Sequence, residues 1–112
     1  MISGVHAIVF SKDAQADRTF FRDIFGFQSV DAGKGWLIFA LPPAEVAFHP
    51  SDENGVYELY FICDDLQSEM SLLAKKDIKC SRVKEAPWGF STQIRLPGGG
   101  EVRLYQPKHP RP

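Results

Sequence analysis

The stretch GVHAIVFSKDAQADRTFFRDIFGF, residues 4–27, changes its apolar pattern part-way along, and that change decides the fold. Residues 4–10 are a short β-branched and aromatic run, which reads as a strand. From Asp13 the pattern becomes helical. Asp13 stands at an N-cap, Ala16, Phe20, Phe21, Ile24 and Phe25 form one stripe, and Gly26 is the stop. Three short strands are expected next, near 27–31, 35–41 and 44–49, separated by DAGKG and PP. The unit is βαβββ.

The same order then recurs. VYELYFIC (56–63) reads as a strand, and DDLQSEMSLLAKKD (64–77) as a helix capped by Asp64 or Asp65, with Leu66, Met70, Leu73 and Ala74 on one side. Strands are expected near 78–84, 90–96 and 101–106, the last two joined by a PGGG hairpin turn. One offset aligns His6 with Glu58 (58 − 6 = 52) and Asp13 with Asp65 (65 − 13 = 52). A duplicated βαβββ unit follows, with units roughly 1–50 and 55–107 in a single domain, 1–112.

Composition narrows the function. A chain of 112 residues buries a single core, and 44% hydrophobic with 24% charged residues is the balance of an ordinary globular protein. A formal charge of −1 gives no general attraction to nucleic acid or anionic lipid, so neither is an expected partner. The opening MISGVHAIVFSKDA has no basic leader region, and its apolar run is too short to span a membrane; a cytoplasmic protein is expected. Cys63 and Cys80 have no metal-knuckle or CxxC spacing and read as free thiols.

An early strand His, an Asp helix cap seven residues on and then FFRDIFGF resemble the HxxxxVxDxxxxxxFYRDxLGF opening of the vicinal-oxygen-chelate superfamily, which contains glyoxalase I, extradiol dioxygenases and bleomycin-resistance proteins. YFICDDL resembles its second strand-to-helix junction, and LPGGGEVRLYQP its DPDGNxxELYQP ending. The resemblance spans nearly the whole chain. It implies an α+β fold in which two βαβββ units form a curved, open mixed sheet, a cup-like half barrel with helices outside and a ligand cavity within. It also implies a homodimer, by analogy alone.

In metal-dependent members of that superfamily, inward His and Glu side chains hold a divalent cation. Position by position, the resemblance puts those ligands at His6, at Glu58 and at Arg103 of VRLYQP, while the fourth strand offers Ala47 with His49 two residues on. Arginine has no lone pair to donate and stays protonated, so it cannot be a ligand. Opposite Glu58 it would make a charge-assisted pair in place of the metal. No metal and no cofactor are therefore expected.

Each candidate has a plainer reading. His6 could be an imidazole satisfied by a neighbour, His49 before Pro50 a rim residue, and Trp36 and Trp88 packing residues. Tyr60 shares strand parity with Glu58 and Tyr105 with Arg103, which puts both rings on the surface of the charged pair. Gly98–Gly100 run from strand to strand, a hairpin rather than a phosphate loop. His109, in the proline-rich ending QPKHPRP, is expected to be solvated.

The expected function is metal-independent binding of a small aromatic or conjugated organic molecule, with His6, Glu58, Arg103, Tyr60, Tyr105, His49, Trp36 and Trp88 around it. The alternative is a metal-dependent lyase, isomerase or dioxygenase using His6, His49 and Glu58. A cup filled by its own side chains would instead indicate a structural module.

Overall fold

A computed structural model describes residues 6–112. Two helices, α1 (Ala14–Asp23) and α2 (Leu66–Ala74), begin 52 residues apart, the offset seen in the sequence. Asp13 caps α1 by accepting from Ala16 N–H at 3.1 Å, and Asp65 caps α2 by accepting from Ser68 N–H at 3.2 Å, so Asp65 rather than Asp64 is the second cap. Gly26, at φ 71°, follows the end of α1; Asp77, at φ 61°, takes the same left-handed conformation after α2.

The strands are β1 (Ser29–Asp31), β2 (Leu37–Phe39), β3 (Tyr60–Ile62), β4 (Lys84–Ala86), β5 (Gly89–Arg95) and β6 (Glu101–Pro107). β1 and β2 form an antiparallel pair, and β3-β6-β5-β4 form an open mixed sheet in which β3 and β6 run parallel. The class is α+β, with an open sheet that does not close into a barrel.

Two expected strands are not in ladders over their described residues; Gly4 and Val5 of the first lie outside the described residues. Residues 6–10 and 44–49 have no strand partner among the described residues, and Pro42, Pro43 and Pro50 flank the second segment with backbone that cannot donate. Their alternate apolar side chains are left in the open: Ile8, Phe10, Val46 and Phe48 are all exposed. The expected strand near 78–84 is regular only from Lys84. Before it, Cys80 bridges Ile94, and Ser81 Oγ accepts from Gln93 N–H at 2.9 Å, a hydroxyl standing where a ladder carbonyl would be.

Alternation along β5 and β6 sorts the sheet's faces. Ile94, Leu96, Val102 and Leu104 are buried against Phe20 of α1 and Leu66 and Leu73 of α2. Phe61 of β3 joins the units: its ring lies 5.9 Å from Phe21, 5.1 Å from Phe25 and 5.4 Å from Phe27. Such pairs each add about 0.5–1.5 kcal/mol beyond area burial, which is why the Phe-rich end of α1 holds the first unit onto the second. Phe39 meets Phe21 at 5.7 Å, so the Leu37 and Phe39 face of β2 is turned to α1.

A polar clamp completes the junction. Asp17, on α1, is buried and accepts from Gly98 N–H at 2.8 Å in the β5–β6 turn. Gly98 is needed there because a Cβ would run into Ser11 Oγ and would lie 2.8 Å from Asp17 Oδ2. The turn itself is the expected hairpin, closed by Gly99 N–H to Leu96 O at 2.9 Å.

Candidate ligand-binding face

With both helices on one face, the odd-numbered residues of β6 point away from the core. Arg103 is paired in register with Tyr60 of β3 and Gln93 of β5, and Tyr105 with Ile62 and Ser91. Glu58 lies just before β3, where Leu59 O accepts from Arg103 N–H at 3.0 Å and keeps the chain beside β6. Parallel pairing therefore brings the carboxylate to the guanidinium.

Arg103 Nη1 lies 2.7 Å from Glu58 Oε2, and its Nη2 lies 3.3 Å from Glu101 Oε1. Turned to satisfy its neighbours, the Gln93 amide accepts from Nη2 at 3.1 Å and donates to Glu101 at 3.2 Å. The guanidinium also lies 5.4 Å from the centre of the Tyr60 ring. Arg103 is thus held from several sides and is 20% exposed, whereas Glu58, expected inside a buried strand, is 50% exposed.

The rings continue from this pair. Tyr60 and Tyr105 lie 5.6 Å apart, edge to face, and the Tyr105 hydroxyl donates to Trp88 O at 2.8 Å. The Trp88 ring in turn lies 5.8 Å from His49. Burial raises the pKa of both tyrosines; the Glu58 carboxylate adds to this at Tyr60, and Glu45 with Tyr60 at Tyr105. Both hydroxyls therefore keep their protons at neutral pH; that of Tyr105 is committed to Trp88 O, and that of Tyr60 can serve as a donor.

Glu58, Arg103, Tyr60, Tyr105, Trp88 and His49 accordingly form one connected surface. His6 and Trp36 are placed differently. His6 is exposed in the irregular segment before α1 and makes no ion pair or ring contact with Glu58 or Arg103 among the described residues. Trp36 lies under Arg18 of α1, with the guanidinium 4.6 Å from its ring.

His109, expected in solvent, is a partner that sequence reading missed: its ring lies 5.7 Å from Tyr105. The signal was the parity of the rings along β6, followed four residues on by an imidazole.

Among the described residues, no group of three or more His, Cys, Asp or Glu side chains is placed to hold a metal ion. At the Glu58 corner the structure offers two carboxylates, Glu58 and Glu101, both already joined to the Arg103 cation. Such a set does not fit a divalent ion, which would have to draw Glu58 away from Arg103. On this face Tyr60 and Trp88 are 39% and 53% exposed. An indentation of about 430 Å³ lies elsewhere, beside the start of α2 between Asp64, Val83, Phe90 and Gln106.

Solved structures match this fold over most of the chain. TnmS3, an antibiotic-binding protein from Streptomyces sp. CB03234, has a TM-score of 0.70 and 24% identity, over 96% of this chain and 98% of that one. The fold is that of the glyoxalase/bleomycin-resistance proteins. A lactoylglutathione lyase from Agrobacterium tumefaciens matches over 93% of both chains at 19% identity, with a TM-score of 0.65. A glyoxalase/bleomycin-resistance protein, also from Streptomyces sp. CB03234, matches over 86% of this chain and 93% of its own at 23% identity and a TM-score of 0.59. No family model matches the sequence, and neither does any curated protein. Among the described residues no helix is long and apolar enough to cross a membrane.

Proposed function

We propose that this chain binds a small aromatic or conjugated organic molecule on the exposed face of its sheet without using a metal. The observation that carries the reading is the junction of two tyrosine rings with a fixed ion pair: Tyr60 and Tyr105 at 5.6 Å, beside Arg103 held 2.7 Å from Glu58. Rings supply apolar area at little conformational cost, and Trp88 extends that area. The Tyr60 hydroxyl can donate to the ligand. The half-exposed Glu58 carboxylate can accept from it while Arg103 keeps that carboxylate in place. The name of TnmS3, an antibiotic-binding protein, supports a binding role on this fold.

The lyase reading, which the Agrobacterium neighbour suggests, has less support. The Glu58 carboxylate is already held 2.7 Å from the Arg103 guanidinium and would have to give up that pair to reach a substrate proton. We also propose that the working form is a homodimer in the cytoplasm. Phe10 and Phe48 are 92% and 90% exposed on segments with strand-like alternation, and a second copy with the same segments can cover them.

Thermal-shift screening of planar aromatic compounds tests the binding reading. A binder at a hundred times its Kd adds about 2.7 kcal/mol, a shift of about 10 °C that Tyr60→Ala or Arg103→Met should reduce. A panel without shifts would overturn it. So would about one tightly bound metal per chain, lost on Glu58→Ala, because that would restore the enzyme reading. Sedimentation showing only monomer at micromolar concentration would end the dimer proposal.

A further inference from the structure

The segment after β6 lies across the candidate face. Lys108 N–H donates to Trp88 O at 2.8 Å, the carbonyl that also accepts from the Tyr105 hydroxyl. Lys108 Nζ reaches Glu85 at 2.6 Å and lies 4.5 Å from the centre of the Phe90 ring. Beyond it, His109 lies 5.7 Å from Tyr105 with its ring tilted by 37°. The segment is then tied to the other unit: Arg111 Nε donates to Glu45 Oε1 at 2.8 Å, and the Glu45 side chain is 22% exposed.

These contacts differ in what they can release. Those of Lys108 belong to the edge of the sheet and extend β6. The Arg111–Glu45 pair joins residues distant in sequence, and it is the only ion pair among the described residues that ties this segment to the first unit. Pro110 and Pro112 flank Arg111 and restrict its backbone, so little chain entropy is lost in holding the latch closed. Tyr105 meanwhile meets Tyr60 on one side and His109 on another, so the imidazole covers ring surface next to the place where a planar ligand would stack.

We propose that Lys108–Arg111 form a strap, latched by Arg111 on Glu45, whose His109 ring covers Tyr105 and must be displaced when a planar ligand binds. The ligand part of this rests on the binding function proposed above; the latch does not. A strap of this kind lowers apparent affinity by the fraction of molecules that are open, and it makes binding sensitive to salt because the latch is a partly exposed ion pair.

The latch can be read without any ligand. Trypsin can cut after Lys108, whereas Arg111 is protected by the proline that follows it. Arg111→Ala and Glu45→Gln should each speed cleavage at Lys108 about fivefold, the upper end for a partly exposed pair, and the charge swap Glu45→Arg with Arg111→Glu should restore slow cleavage. Equal cleavage rates in all these chains would overturn the latch.

Proflavine, a planar tricyclic dye, then reads the gate by stopped-flow fluorescence. Its association rate should rise by the same factor in Arg111→Ala, and His109→Ala should raise it with the latch intact. A dye that binds the natural chain at a rate unchanged by either substitution would overturn the gate. A dye that binds none of the chains, while trypsin still distinguishes them, would overturn the ligand face and the gate together and leave the latch standing.

Discussion

Removing Glu58 and removing Arg103 should have unequal effects, and the inequality follows from the geometry. Arg103 faces two carboxylates, Glu58 at 2.7 Å and Glu101 at 3.3 Å, and is 20% exposed, while Glu58 and Glu101 are 50% and 47% exposed. At an effective dielectric of about 20, two unit charges at 4 Å attract by about 4 kcal/mol before desolvation and screening are subtracted. Exposed pairs retain about 0.2–1 kcal/mol of this, and breaking a buried pair costs about 3–5 kcal/mol. A pair with one partner mostly covered and the other half in water belongs between these limits.

Glu58→Gln leaves Arg103 with Glu101 as a partner and should cost about 0.5–1 kcal/mol, in the range of an exposed pair. Arg103→Met leaves two carboxylates facing each other and removes the cation from the Tyr60 ring, so it should cost about 1–2 kcal/mol. The assay is urea unfolding of the natural chain, both single variants and the double variant, at low salt and in 1 M sodium chloride. We expect a coupling energy of about 1 kcal/mol at low salt, reduced at high salt where the screening length falls to about 3 Å. A coupling within about 0.3 kcal/mol of zero, the usual error of such a cycle, or a costlier Glu58→Gln than Arg103→Met, would refute this account of the face.

The inter-unit clamp gives a second test: Gly98→Ala pushes a methyl group toward Ser11 Oγ and Asp17, and should cost about 1–3 kcal/mol in urea unfolding. Gly100→Ala, whose Cβ meets nothing within 4 Å, is the control and should stay within about 0.5 kcal/mol of the natural chain. Equal midpoints for the two variants would disprove the clamp. A third test uses Cys63, whose thiol is pushed up to about 11, first by burial and then by Glu69, Asp64 and Asp65. The folded chain keeps a proton that the unfolded chain releases above its ordinary value of 9.0, so this stabilising contribution is complete below pH 9 and is lost as the pH rises toward about 11. Cys63→Ala should therefore lose less stability than the natural chain between pH 9 and 11, and parallel curves would contradict the assignment.

The helices, the Asp13 cap and the equivalence of the two helices were legible from local signals, whereas the choice of Asp65 over Asp64 as the second cap came from the structure. Asp13 and Asp65 serve short-range backbone donors, and the apolar stripes repeat within one turn of helix, so neighbours a few residues apart carry the information. Strand parity likewise put Tyr105 on one surface with Arg103 and Tyr60 with Glu58, and the structure buries Val102 and Leu104 on the opposite face of β6. Whether 6–10, 44–49 and 78–84 enter ladders depended on distant partners, and there Ser81 and the flanking prolines mattered more than β-branched composition. Tertiary structure alone decided that Glu58 is half in water, that Trp36 lies under Arg18 rather than beside the tyrosines, and that Arg111 reaches Glu45, 66 residues earlier. A sequence pattern states which side of an element is apolar; which charged side chains meet across that side is settled only when the register between elements is set.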